Sequence, residues 1–292
     1  MPVRCQTQRA LHAMARTSNP RRPPKPKKPP LTHFLCVPLV TPASRPQLEA
    51  SLRTFGEAVC VSDARSNRSD GASEDVPHRT GLPTISPKAV RPVGSIHCTL
   101  GVMSLDDQQL SNASDYLRGS EVKDLLKTFG QQPATSHETP PKTGPIVVSL
   151  KGLQSMHAPQ NTSILYAAPQ DDTSRLYPLC LALQKLYKDQ GFLVDDDREL
   201  KLHATVINTI YAKGGARRPG RNGPQGHGPN ANAPLKMDAT LLLERYQGYV
   251  WMENVVLDRV AICEMGAKKM LNDEGEEVGA EYTEVASVEM PR

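Results

Sequence analysis

Two copies of one short pattern, His97-Cys98-Thr99-Leu100 and His203-Ala204-Thr205-Val206, sit far apart in the chain, each inside an apolar stretch. In an extended strand, residues two apart share a face. Each copy therefore presents an imidazole beside a hydroxyl, while Cys98, Leu100, Ala204 and Val206 point to the other side and into a core. A fold that accepts this chain must supply two partly buried strands whose polar faces find partners.

His-x-Thr is a loose pattern. With 8 His in 292 residues, chance placement gives about 0.5 matches, and the chain holds more than that. His78-Arg79-Thr80 lies among Asp, Ser and Arg before Gly81 and Pro83, and His137-Glu138-Thr139 runs into Pro140-Pro141. Glycine and proline there oppose a strand, so both read as loop decoys. The other two lie in Ser95 to Leu105 and Leu200 to Tyr211, where β-branched and apolar residues accumulate.

A lone strand histidine is most often a half-buried ring bonded to backbone. Two matching His-Thr faces have no packing benefit that explains them. Brought into one cleft, they suit acid and base chemistry on a phosphodiester. One ring removes a proton, the other donates one, and the hydroxyls hold phosphate oxygens. The leading expectation is a metal-independent phosphoesterase with no cofactor.

Three stretches carry a resemblance: Leu31-Thr32-His33-Phe34-Leu35, His97-Cys98-Thr99-Leu100-Gly101-Val102-Met103, and Leu202-His203-Ala204-Thr205-Val206-Ile207-Asn208-Thr209. In sequence and order they resemble the 2H phosphoesterase superfamily. More narrowly, they are similar to the branch with the 2′,5′ RNA ligase-like domains of A-kinase anchor protein 7 and activating signal cointegrator 1 complex subunit 1. Met237-Asp238-Ala239-Thr240 and Val260 to Met265 extend the likeness. It implies an α+β, bilobed fold: two antiparallel sheets related by a pseudo-twofold, flanked by helices around a central groove. It also implies His97 and His203 as the catalytic acid and base, and Thr99 and Thr205 as substrate-binding residues. Substrates of such proteins are 2′,5′-linked or 2′,3′-cyclic phosphodiesters, or RNA ends. The alternative that the branch suggests is a non-catalytic nucleotide- or RNA-binding subunit of a coactivator, RNA-processing or repair complex.

Composition narrows the setting. At 4% aromatic residues, a stacking platform for long single strands is not expected, which favours a small or terminal substrate. The longest apolar runs fall short of a membrane span. Six scattered cysteines without a Cys-x-x-Cys pair read as reduced core residues of an intracellular protein, and lack zinc-ligand spacing. Residues 1–30 are basic and proline-rich, with no acid, and are expected to be a disordered tail. Arg21 to Lys28 fits nuclear import or a weak RNA contact, so nuclear or cytoplasmic residence is expected, with a mitochondrial leader as the alternative. The remaining 31–292 is expected to form one monomeric domain with flexible loops at about 61–92 and 212–234.

Outside the motifs, periodicity predicts a strand over Thr32 to Val40 and a helix over Ser44 to Val59. It predicts one helix over Gln108 to Phe129, strands over Pro145 to Leu153 and Ser163 to Ala168, and a helix over Thr173 to Gln190 ended near Gly191. Asp195-Asp196-Asp197 reads as a solvated turn and not a metal site. A short helix over Met237 to Tyr246 follows. Strands over Val255 to Glu264 and Glu281 to Val288 come last, with Asn272 to Gly275 turning between them.

Overall fold

A computed structural model describes residues 29–60, 82–131, 144–196, 198–214 and 234–291. The decoy patterns at His78 and His137, most of the basic tail and most of the glycine-rich loop fall outside those residues. Among the described residues, ten strands and five α-helices run in the order β1 (His33–Pro38), α1 (Arg45–Val59), β2 (His97–Met103), α2 (Asp107–Leu117), α3 (Ser120–Gln131), β3 (Val147–Ser155), β4 (Ile164–Gln170), α4 (Leu176–Asp189), β5 (Ala204–Asn208), α5 (Thr240–Arg245), β6 (Val250–Val256), β7 (Arg259–Glu264), β8 (Lys268–Leu271), β9 (Glu277–Glu281) and β10 (Glu284–Glu289).

Eight strands form one sheet in the order β10-β7-β1-β2-β5-β4-β3-β6, every pair antiparallel. The two expected halves are its two sets of four strands. They join at β2 and β5 through a single pair, Cys98 opposite Ala204. Each half repeats one irregularity. Leu35 faces Gly101 but Cys36 faces Thr99, and Leu165 faces Ile207 but Tyr166 faces Thr205. The extra residue is Leu100 in one half and Val206 in the other, so matching bulges bend both motif strands just beyond their threonines.

Parity sorts the side chains as expected. Cys98, Leu100, Ala204 and Val206 are buried with Leu35, Val37, Leu165 and Ala167 in the main core. Helices cover that face. Leu48, Leu52, Phe55 and Val59 of α1, and Leu176, Leu179, Cys180, Leu183 and Tyr187 of α4, supply apolar stripes at helical spacing. The two helices also lace the halves together. The Ser51 hydroxyl of α1 donates to the Trp251 carbonyl of β6 at 2.9 Å, and Gln184 of α4 donates to the Leu100 carbonyl of β2 at 2.6 Å.

Caps set the helix starts. Asp106 and Gln109 form a reciprocal capping box on α2, with bonds of 2.8 and 3.0 Å. At α4, the Asp171 carboxylate accepts the Thr173, Arg175 and Leu176 amides at 2.8, 2.6 and 2.8 Å. Burial pushes this carboxyl's pKa up, but those bonds and the Thr173 hydroxyl hold it below the usual range. Gly191, at φ 73°, follows the end of α4 as its sequence suggests.

Four expectations need correction. The single helix over 108–129 is two, because the chain turns at Arg118-Gly119. The strand over Val255 to Glu264 is the end of β6 and all of β7, parted at Leu257-Asp258, and the two belong to opposite halves. The turn at Asn272 to Gly275 joins β8 to β9, a separate hairpin whose first strand is exposed at every position and so gave no periodic signal. The second motif strand stops at Asn208 and becomes a 3-10 turn over Thr209–Gly214 that carries Tyr211.

One buried cation organises the start of β3. Arg175 is 4% exposed and donates to the carbonyls of Phe129, Gly144 and Pro145 at 2.9, 2.9 and 3.0 Å. It thus ties the end of α3 to the entry of β3. Arg175→Leu strands those carbonyls, with an expected loss of about 3 kcal/mol; urea unfolding reads it directly, and Arg175→Lys recovers part.

Candidate functional site

The pairing of Cys98 with Ala204 fixes how the motifs meet. Counting outward along an antiparallel pair sets His97 opposite Thr205 and Thr99 opposite His203. All four lie on the face away from the helices, and all four are half-buried. His97 and His203 are then diagonal neighbours, with backbones roughly 7–8 Å apart and Cβ atoms somewhat closer. The pattern read from sequence therefore converges on one patch, with each imidazole beside the other motif's hydroxyl.

Each ring is held in the same way. His97 Nδ1 lies 2.8 Å from the Ser95 carbonyl oxygen, and His203 Nδ1 lies 2.7 Å from that of Lys201. A carbonyl only accepts, so Nδ1 carries the proton in both rings and, when the ring is neutral, Nε2 is the lone-pair nitrogen. The Thr99 hydroxyl sits 3.0 Å from His97 Nε2 and donates to it. A carbonyl two residues upstream thus sets the tautomer in both halves.

Around His97 stands an aromatic wall. Phe34 lies 4.8 Å from the imidazole, ring centre to ring centre, and Tyr282 meets it edge-on at 5.0 Å. Phe34, Cys36, Ala261 and Cys263 form a small apolar cluster there, apart from the main core. Tyr282 is brought in by close approach of β9 to the turn at Val93–Ser95. A Cβ on Gly94 would fall 2.1 Å from Glu281 Cγ and 2.8 Å from the Ala280 carbonyl oxygen. Around His203, Tyr166 meets the imidazole at 5.5 Å, and Lys201 Nζ sits 4.7 Å over the Tyr166 ring.

Burial sets the charge state. It lowers the His97 pKa to about 4, against the opposing Ser95 bond and with help from the Arg91 and His203 charges. His203 is lowered as well, first by burial and then by the Lys201 charge, while its bond to the Lys201 carbonyl opposes. Both rings are neutral at pH 7 before a ligand enters. Cys98, pushed up to about 12 by burial, is a packing residue and not a nucleophile.

Other expectations resolve plainly. Asp196 is held by Arg198 at 2.8 and 2.9 Å, which lowers its carboxyl to about 2, so it serves the local turn. Asp197 falls outside the described residues. Periodicity and motif counting missed Arg91, Tyr166, Lys201, Tyr211 and Tyr282. Only Lys201 adjoins a motif, and nothing local in the sequence marks the others.

Residues 31–274 match the family described as the AKAP7 2′5′ RNA ligase-like domain. An uncharacterized protein of Schizosaccharomyces pombe, C15D4.13c, is 24% identical over 194 residues, covering 66% of this chain and 76% of that one. Escherichia coli LigT, solved with 3′-AMP, is 11% identical with a TM-score of 0.43, over 90% of this chain and 99% of that one. TT0787 of Thermus thermophilus is 14% identical with a TM-score of 0.41, over 89% and 97%.

The lowered imidazoles have a consequence for stability. Below pH 6.5 the unfolded chain takes up a proton at His97 that the folded chain refuses until about pH 4. Stability is therefore fully present above 6.5 and falls as pH drops toward 4, by about 2–3 kcal/mol from this ring. His97→Gln should flatten that part of the curve, as read from urea midpoints between pH 7 and 4.5.

Proposed function

Because the chain belongs to the family of AKAP7 2′5′ RNA ligase-like domains, within the 2H phosphoesterase superfamily, we propose that it cleaves small or terminal ribonucleotide phosphodiesters without a metal. Its substrates on this reading are 2′,5′-linked or 2′,3′-cyclic phosphodiesters at RNA ends or in short oligonucleotides. One observation carries the proposal: both motif histidines keep Nδ1 locked to a carbonyl, which leaves Nε2 of each as the group that exchanges protons.

The reaction needs one neutral and one protonated ring. His97, whose pKa is about 4, starts as the base and takes the proton of the attacking oxygen. His203 becomes the acid once an anionic phosphate beside it raises its proton affinity, and it hands that proton to the leaving oxygen. Thr99 and Thr205 turn their hydroxyls to the non-bridging oxygens, where negative charge grows as the phosphorus becomes five-coordinate. Phe34, Tyr166 and Tyr282 keep water from the rings and hold their planes.

The test uses EDTA-treated protein with 3′,5′-linked, 2′,5′-linked and 2′,3′-cyclic substrates, with products separated by mass. Turnover is expected on one of the latter two, unaffected by EDTA and bell-shaped in pH. His97→Ala and His203→Ala are each expected to lower kcat/KM by about 10³-fold with unchanged melting cooperativity. Retained turnover in either variant sinks the mechanism, and so does loss on chelation. Tight nucleotide binding with no product on any linkage would instead favour a binding module.

A further inference from the structure

A guanidinium lies near the histidine pair with no anion to meet it. Arg91 is 9% exposed, and its backbone is fixed beside β5, where its amide donates to the Val206 carbonyl at 2.8 Å and Val90 bridges to Ile207. Its guanidinium stacks 4.2 Å over the ring of Tyr211 and donates to the Tyr282 hydroxyl at 3.3 Å. Both partners are neutral. Among the described residues, no carboxylate lies within ion-pair distance of it. Removing a permanent cation from water is costly unless an anion and further hydrogen bonds compensate it. The planar fork, held flat against a ring, is pre-shaped for two parallel bonds to a phosphate.

Its position separates it from the reacting phosphorus. Arg91 is anchored at Val206, beyond Thr205, on the side of His97 away from Thr99 and His203. The Tyr282 phenol that takes its hydrogen bond belongs to the ring packed edge-on against His97. Resting on the phosphoesterase reading above, we propose that Arg91, oriented by Tyr211 and Tyr282, binds a second phosphate. This would be a neighbouring linkage or a terminal phosphate on the ligand, distinct from the one between the histidines. The groove then selects ligands with two phosphates over ligands with one.

Calorimetric titration with adenosine 5′-monophosphate, adenosine 3′-monophosphate and adenosine 2′,5′- and 3′,5′-bisphosphate tests this without needing turnover. At least one bisphosphate is expected to bind about tenfold tighter than the better monophosphate, a gap that added salt narrows. In Arg91→Gln the gap closes to within about twofold while monophosphate affinity stays put. Tyr211→Leu alters a side chain that is 48% exposed, so it serves if Arg91→Gln fails to fold; it is expected to shrink the gap about threefold. The proposal is overturned if the wild type binds both classes equally, or if the gap survives in the variants. Equal weakening of both classes in Arg91→Gln overturns it too, by putting Arg91 on the scissile phosphate. Binding of this pattern with no cleavage of any substrate would leave the second-phosphate site standing and remove the phosphoesterase reading alone.

Discussion

Between β2 and β5 the ladder holds at one pair, Cys98 opposite Ala204, and the site owes its shape to that economy. A longer ladder would flatten the sheet and turn the two His-Thr faces into one even stripe. Instead the bulges at Leu100 and Val206 bend each half away beyond its threonine, because an extra residue in one strand raises local twist. The edge of β5 that β2 gives up is taken by Val90 and Arg91. Strand pairing alone would hold the halves weakly. Their relation is fixed by α1 lying on β6 and α4 lying on β2, through bonds from Ser51 and Gln184 to backbone.

The same seam sets the electrostatics. Small buried residues at its centre, Cys98 and Ala204, let the flanking imidazoles sit low in the surface, where burial favours their neutral form. Carbonyls at Ser95 and Lys201 then decide which nitrogen keeps its proton. A neutral pair with a common tautomer is poised for an anionic ligand, since only the ligand's charge would bring a second proton to the site. The two-histidine reaction proposed above for a chain of this phosphoesterase-like family would use that arrangement.

Much of this was legible in residue order, for reasons that differ by element. The period-two pattern around both motifs named the four facing residues, since only one register buries Leu100 and Val206. The stripes of α1 and α4 followed from 3.6-residue spacing. Where the sequence misled, a local feature was outweighed by a distant one. Asp258-Arg259 interrupts an apolar run by only two residues, too small a mark to reveal that β6 and β7 part company there. In β8 all four residues are exposed, so alternation carries no information. Tyr282 and Arg91 reach the site only through tertiary packing, against the Val93–Ser95 turn and the free edge of β5, which no local spacing records.

The parting of β6 from β7 fixes the order in which the two halves are completed along the chain. β7 lies between β10 and β1, so the half that begins earliest in the chain is sealed by residues 259–289, after every strand of the other half has been made. Until those residues dock, β1 has an open edge, Phe34 and Cys36 lack their apolar cover, and the His97 wall has no Tyr282. Such long-range closure is slow to form. The later half is complete in sequence by Val256, whereas the earlier one, and with it the Tyr282 wall of His97, needs residues 259–289.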